Sequence, residues 1–222
     1  MFTRVLVVDD IDLNNIATEK ALTELDITNV TYVKYCDDAL LKIKKAEQDG
    51  ESFELLISDL SFKTDHRTTV LQSGEELIEK VKEQFPHIKI IAFSIDERSY
   101  RIKKLLNELD IEGYVLKHRN SSTELKKAIQ QVFHGQEKYL SPDLQFVLQD
   151  KSTNEIDHYD IQLLKQLSLG VPQDNMEAKF KELGITPNSK STIEKRIAKL
   201  KDYFKATNPA HLVSIAKDLG LV

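Results

Sequence analysis

The apolar patterning predicts an α/β fold: a doubly wound parallel sheet in front and a small all-helical domain behind. Three observations carry this. Short β-branched runs and segments of helical spacing alternate five times in the first 120 residues, the alternation stops near Phe133, and only capped helical segments follow. Parallel neighbours need crossover helices, so strict strand-helix alternation implies a sheet covered on both faces.

The strands are expected at Val5 to Val8, Val30 to Tyr35, Phe53 to Ile57, Ile88 to Phe93 and Tyr114 to Leu116. Helical spacing follows each of them, in Ile16, Leu22, Leu25; Ala39, Leu40, Ile43; Leu77, Ile78, Val81; Ile102, Leu105, Leu109; and Leu125, Ile129, Val132. Residues 136–155 are polar, with Ser141-Pro142 and Lys151-Ser152-Thr153-Asn154, and are expected to form the linker between domains 1–135 and 156–222. In the second domain Asp157 can cap a helix to about Ser168, closed by Gly170. A second spans roughly Asn175 to Leu183 and ends at Gly184. Ser189 or Ser191 can cap a third to about Lys205, and Asn208-Pro209 opens a fourth that Gly220 ends.

The bulk composition fits this division. The 222 residues are 41% hydrophobic, which suits globular folding, and carry a net charge of −5. From Ile156 onward Lys and Arg number 10 against 8 Asp and Glu, so the acidity lies in the first 155 residues and the halves are expected to meet different partners. A single cysteine, Cys36, excludes an internal disulfide and is expected to be half-buried. With no cleavable leader before the first strand and no apolar stretch of spanning length, a cytosolic protein is expected.

In an open parallel sheet, ligands bind beyond the carboxyl ends of the strands. Those ends carry Asp9 and Asp10 after strand one, Asp59 after strand three, Ser94 after strand four and Lys117 after strand five. Any one of these alone would read as a cap, a turn former or a surface lysine. Together they bring three carboxylates, a hydroxyl and an ammonium to one place. Crowded carboxylates repel unless a cation joins them, and Mg²⁺ suits an all-oxygen site beside phosphate. Asp59 can then attack a phosphoryl donor while Lys117 and Mg²⁺ neutralise the transferring oxygens, and Ser94 can bind one of them.

These pieces, Val7-Val8-Asp9-Asp10, Leu56-Ile57-Ser58-Asp59, Ala92-Phe93-Ser94 and Gly113-Tyr114-Val115-Leu116-Lys117, resemble the receiver domain of two-component response regulators. The resemblance implies a flavodoxin-like five-stranded sheet, phosphorylation of Asp59 by a sensor histidine kinase, and no enzymatic turnover. It further implies direct Mg²⁺ ligation by Asp10 and Asp59, ligation by Asp9 largely through water, and a further ligand from the main-chain carbonyl of Ser61. Ser94 and Tyr114 match the family's switch pair. The connection from Asp59 to Gly74 departs from the pattern, being longer and lacking the usual proline; His66 within it is expected to face solvent. Ile95 stands where small residues are common and is expected to restrict access, and His118 replaces a frequent proline.

Residues 156–222 resemble the LuxR-type (NarL/FixJ) helix-turn-helix domain in Ile156-Asp157-His158-Tyr159-Asp160, Leu164 to Gly170, Ser191-Thr192-Ile193 and the run from His211 to Val222. Its third helix can bury Ile193, Ile197, Leu200 and Phe204, and Ser189 to Lys205 holds six Lys and Arg against two Asp and Glu. Double-stranded DNA is the expected partner, met by Lys190, Thr192, Lys195, Arg196 and Lys199, with Glu194 reading a cytosine amino group or rejecting other bases. The resemblance implies a homodimer promoted by phosphorylation. The stretch from Gly170 to Thr192 is longer than the family pattern, so the turn is expected to be enlarged. Two rivals remain. Asp10-Ile11-Asp12 resembles the nucleophile motif of haloacid-dehalogenase-type phosphatases, though that reading leaves Asp59 unexplained, and the helical half can bind a protein instead of DNA.

Overall fold

The computed structural model describes residues 1–62, 69–149 and 156–222, with the side chains of residues 12–15, 100 and 149 also outside the description. His66, the side chain of Asp12 and the stretch Lys151-Ser152-Thr153-Asn154 therefore lie outside the described residues. The chain divides into two compact units, the first of residues 1–97 and 102–148 and the second built on residues 156–222.

Alternation of side chains between two buried faces organises the first unit. Strands β1 (Val5–Val8), β2 (Val30–Val33), β3 (Leu55–Ser58), β4 (Lys89–Ser94) and β5 (Gly113–Leu116) pair in parallel in the order 2-1-3-4-5. Every residue of β1, β3 and β5 is buried, while β2 at the edge is only partly so. Leu6, Val8, Leu56, Ile90, Ala92 and Tyr114 point to one face, with Ala39 and Ile43 of α2 (Cys36–Gln48) and Leu77, Ile78 and Val81 of α3 (Gly74–Gln84) in the same cluster. Val5, Val7, Leu55, Ile57, Ile91, Phe93 and Val115 point to the other, clustered with Leu22 of α1 (Asp12–Thr23) and Leu125, Ile129 and Val132 of α5 (Ser121–Phe133). The chain passes from β1 outward to β2, then returns across β1 to β3. That reversal opens the crevice between the ends of β1 and β3.

Two features depart from the expected arrangement. The sheet has a sixth strand, β6 (Tyr139–Leu140), parallel to β5, inside the stretch expected to be linker. Residues 136–148 thus belong to the first unit: Leu140, Leu144 and Val147 enter its core, and a 3₁₀ turn, Pro142–Leu144, leads to the short helix α6 (Phe146–Gln149). Two ladder residues are too few for periodicity to reveal. Helix α4 (Ser99–Lys103) also runs into a π-turn at Lys104–Glu108. Cys36 is fully buried, and burial, helped by the charge of Asp37, pushes its thiol up to about 12.

The second unit holds four helices close to the expected bounds: α7 (His158–Ser168), α8 (Met176–Glu182), α9 (Lys190–Tyr203) and α10 (Pro209–Asp218). Asp157 closes a capping box with Asp160, Ser189 caps α9, and Asn208 caps α10. Leu163 and Leu164, Met176 and Phe180, Ile193, Ile197 and Leu200 share one core with Leu212 and Ala216. The lengthened connection resolves into a 3₁₀ turn, Gln173–Asn175, before α8 and the loop Leu183–Ser189 after it, which opens on Gly184 at positive φ.

Phe180 is fully buried and meets Tyr159 edge-on at 5.3 Å between ring centroids. Phe180→Ala is expected to destabilise the second unit by about 3–5 kcal/mol and to leave the first unit's transition in place, as read by urea unfolding with a probe in each unit.

Candidate functional site

Backbone pairing delivers the acidic side chains to the crevice. Asp59 N–H donates to Val8 O at 2.9 Å, Asp9 N–H to Val33 O at 3.1 Å and Lys117 N–H to Ser94 O at 2.8 Å, so each functional residue is the continuation of a ladder. Lys117 Nζ crosses the end of β4, 5.1 Å from the centre of the Phe93 ring, and donates to Asp59 Oδ2 at 2.6 Å and Asp9 Oδ2 at 2.7 Å. All three side chains are at most 8% exposed. Asp59 Oδ1 accepts from Leu60 N–H at 2.6 Å and Ser61 N–H at 3.3 Å. One oxygen of Asp59 is thereby anchored while the other faces the lysine.

Asp9, Asp10 and Asp59 each bring a carboxylate oxygen within 4.8 Å of the others. Three formal negative charges against one ammonium leave a deficit that a divalent cation matches. The donor set is oxygen only, which suits a hard divalent cation such as Mg²⁺. Ser61 is present at the site through its N–H, and its backbone bridges to Ser73.

Gly74 returns the long connection to the pocket. Its N–H donates to Leu60 O at 3.2 Å, and a Cβ built there would lie 1.7 Å from the carbonyl oxygen of Asp59. Only glycine fits, because the neighbouring atom is backbone that cannot swing aside. Ser73, just before it, caps α3 by accepting from Glu76 N–H at 3.2 Å.

Ser94 and Tyr114 meet on one residue. Ser94 Oγ accepts from Asp96 N–H at 3.3 Å, and the fully buried Tyr114 donates its hydroxyl to Asp96 O at 2.7 Å. A shift of Ser94 therefore pulls on the group that holds the tyrosine inward. Ile95 is 71% exposed, so it turns away from the site instead of narrowing it.

In the second unit, α9 turns Glu194, Lys195 and Lys199 to solvent and buries Ile193, Ile197 and Leu200, as expected. Three of the other residues expected to meet DNA are engaged within the unit. Arg196 donates to Asp157 Oδ2 at 2.5 Å and Asp160 Oδ2 at 3.2 Å and lies over the Tyr159 ring at 5.4 Å; it ties α9 to the start of α7. Thr192 Oγ1 is 2.9 Å from Ser189 Oγ and takes part in the cap. Lys190 pairs with Asp174 at 2.9 Å but stays half-exposed, so this pair is easily exchanged. Helical spacing does not reveal the two carboxylates that meet Arg196. Phe204 is only partly buried, at the C-terminal cap of α9.

Neither a family model nor a curated protein sequence matches the chain. Solved structures do. The response regulator RcsB in complex with DNA aligns at 22% identity over 96% of each chain, with a TM-score of 0.63. The chain has the response-regulator fold. RcsB from Salmonella enterica serovar Typhimurium bound to promoter rprA with the phosphomimetic BeF3- is 23% identical over 95% of this chain and 96% of that one, with a TM-score of 0.62. The isolated REC domain of the same RcsB with BeF3- is 26% identical and covers 65% of this chain and 97% of its own, with a TM-score of 0.53. The first unit is thus a receiver fold and the second a helix-turn-helix fold. No described helix is long and apolar enough to cross a membrane.

Two predictions follow from the geometry. Gly74→Ala is expected to displace the Asp59 main chain and to cost at least about 2 kcal/mol, read by thermal melting, since the clash is with backbone. The second concerns Asp157. Burial pushes its carboxyl up, but the Asp160 N–H and the Arg196 guanidinium outweigh this and hold it below the usual range. Its contribution is present above the unfolded value and lost as pH falls through the folded one. Asp157→Asn keeps the cap but not the charge, so at neutral pH it is expected to cost about 0.5 kcal/mol, discounted because the pair is half-exposed. The gap to the wild type should close on acidification below about pH 4.

Proposed function

We propose that the chain is a phosphorylation-switched, DNA-binding response regulator in which Asp59 is the phosphoacceptor. The observation that carries this reading is the buried bridge from Lys117 to Asp9 and Asp59 at the reversal of strand order, with Asp10 beside it. Asp59 Oδ2 attacks the phosphorus of a phosphohistidine on a sensor histidine kinase. The P–N bond breaks, its electron pair returns to the imidazole, which regains a proton, and Asp59 becomes an acyl phosphate. Lys117 exchanges its carboxylate partners for a phosphoryl oxygen. Asp10 and Asp59 would hold Mg²⁺ directly and Asp9 largely through water, with the Ser61 carbonyl as a further ligand, and the ion would neutralise charge on the transferring oxygens. Ser94 turns toward the new phosphoryl group, and the loss of its hold on Asp96 frees Tyr114 to reorient, shifting the population toward a homodimer. The chain stores a phosphoryl group and does not turn over small phosphate esters.

The second unit serves as the reader. Glu194, Lys195 and Lys199 share the open face of a capped helix, with Lys190 at its first turn, in the geometry that lets a recognition helix enter a major groove. RcsB, whose fold this chain shares, has been seen on DNA. Arg196 acts here as a brace that sets the angle of α9.

Intact mass and gel-shift binding with a small acyl-phosphate donor and Mg²⁺ test the reading. The expected result is an adduct of about 80 Da on the wild type and none on Asp59→Ala, with tighter DNA binding only where the adduct forms. No adduct, or DNA binding indifferent to the donor, overturns it; a helical unit that captures protein but no DNA points to the rival output. Lys195→Ala and Lys199→Ala should each lower the salt slope of DNA binding by about 1. Arg196→Ala should leave the slope nearly unchanged and lower the melting temperature of the second unit.

A further inference from the structure

Lys117 is bracketed by two neighbours tied to one carboxylate. On one side, Leu116 N–H donates to Ser141 Oγ at 2.9 Å, and the Ser141 hydroxyl donates to Glu124 Oε2 in a short hydrogen bond. On the other, His118 Nε2 lies 3.0 Å from Glu124 Oε1. Asn120 N–H donates to His118 Nδ1 at 3.2 Å, so Nδ1 is the acceptor and the proton sits on Nε2, aimed at Glu124. Ser141 is fully buried and the Glu124 side chain is 13% exposed. Glu124 also lies near enough to Tyr139 for its charge to add to the burial that pushes that hydroxyl up to about 12.

Ser141 also directly follows the β5–β6 ladder. Its N–H donates to Tyr114 O at 3.0 Å, and Pro142, lacking an N–H, begins the turn that leads the chain out of the first unit. The exit segment is thus held to the strand end carrying Lys117 by a side-chain hydroxyl where a ladder bond would otherwise continue. None of the three residues touches Asp59.

From this arrangement we propose that His118, Glu124 and Ser141 are positioning residues that couple the state of Lys117 to the segment 139–148 leaving the receiver unit. The inference rests on the phosphoacceptor reading of Asp59. When Lys117 gives up its carboxylates for a phosphoryl oxygen, the main chain on either side of it shifts, and Glu124 passes that shift to Ser141 through both arms. Coupling of this kind is reciprocal, so the exit segment biases the lysine in turn.

Hydrogen exchange of the full chain, measured by mass spectrometry with and without a small acyl-phosphate donor and Mg²⁺, tests this alongside intact mass. In the wild type, phosphoryl uptake is expected to change exchange in 139–148 by about tenfold, the scale of one buried hydrogen bond. Ser141→Ala and His118→Ala are expected to take up the phosphoryl group while the change in that segment falls below about twofold. His118 sits on the more exposed arm, so its variant carries the test even if Ser141→Ala fails to fold. Adducts on both variants with the wild-type exchange response overturn the proposal alone, as does a wild type that takes the adduct without a response in 139–148. No adduct on the wild type overturns the phosphoacceptor reading and this inference with it.

Discussion

The Lys117 ammonium stands between two buried carboxylates that ride on different strands, and the arrangement of the first unit follows from keeping it there. An ion this deep is tolerable only if its partners reach it in good geometry, since removing one partner of a buried pair typically costs about 3–5 kcal/mol. Asp9 and Asp59 follow adjacent strands, while Lys117 follows β5, two places beyond β3, and must cross β4 to reach them. The parallel register of β1, β3, β4 and β5 is therefore an electrostatic requirement as well as a packing one. A slip of two residues in any of these strands would preserve the alternation of faces and still strand a charge.

The same geometry crowds negative charge at the site. Asp10 adds a third carboxylate to a pair that one lysine already serves, so the pocket is held in a state that favours incoming positive charge, and the phosphoryl chemistry proposed for it would exploit that imbalance. Structural responses are close at hand because so few bonds separate the pocket from its surroundings. Asp96 links Ser94 to Tyr114, and Glu124 links the two sides of Lys117. In the second unit Arg196 performs a comparable service, fixing α9 to the start of α7 through two carboxylates and a ring.

How much could be read beforehand follows physical lines. Strand ends, helix caps and buried faces are local properties: Asp9, Asp10, Asp59, Ser94 and Lys117 stand directly after β-branched runs, and Asp157, Ser189 and Asn208 cap helices where expected. Contacts between residues far apart in sequence were not accessible. Arg196 meets Asp157 across 39 residues and Leu116 meets Ser141 across 25, and neither pairing leaves a periodic trace. The sixth strand escaped for a different reason, since Tyr139 and Leu140 acquire strand character only by lying against β5. Ile95 was expected to crowd the pocket on size alone, yet a residue just past a strand end can turn either way.

The contact of Gly74 with the Asp59 main chain, together with the Ser61–Ser73 bridge, pins both ends of the intervening connection within a few ångströms of each other. Closing a connection between ends fixed in this way costs only about 0.6 kcal/mol more for each doubling of its length, so the number of residues in it can change over evolutionary time at little thermodynamic penalty. It is a natural place for lineage-specific sequence to accumulate beside an otherwise constrained centre, and a suitable point at which to graft a reporter peptide.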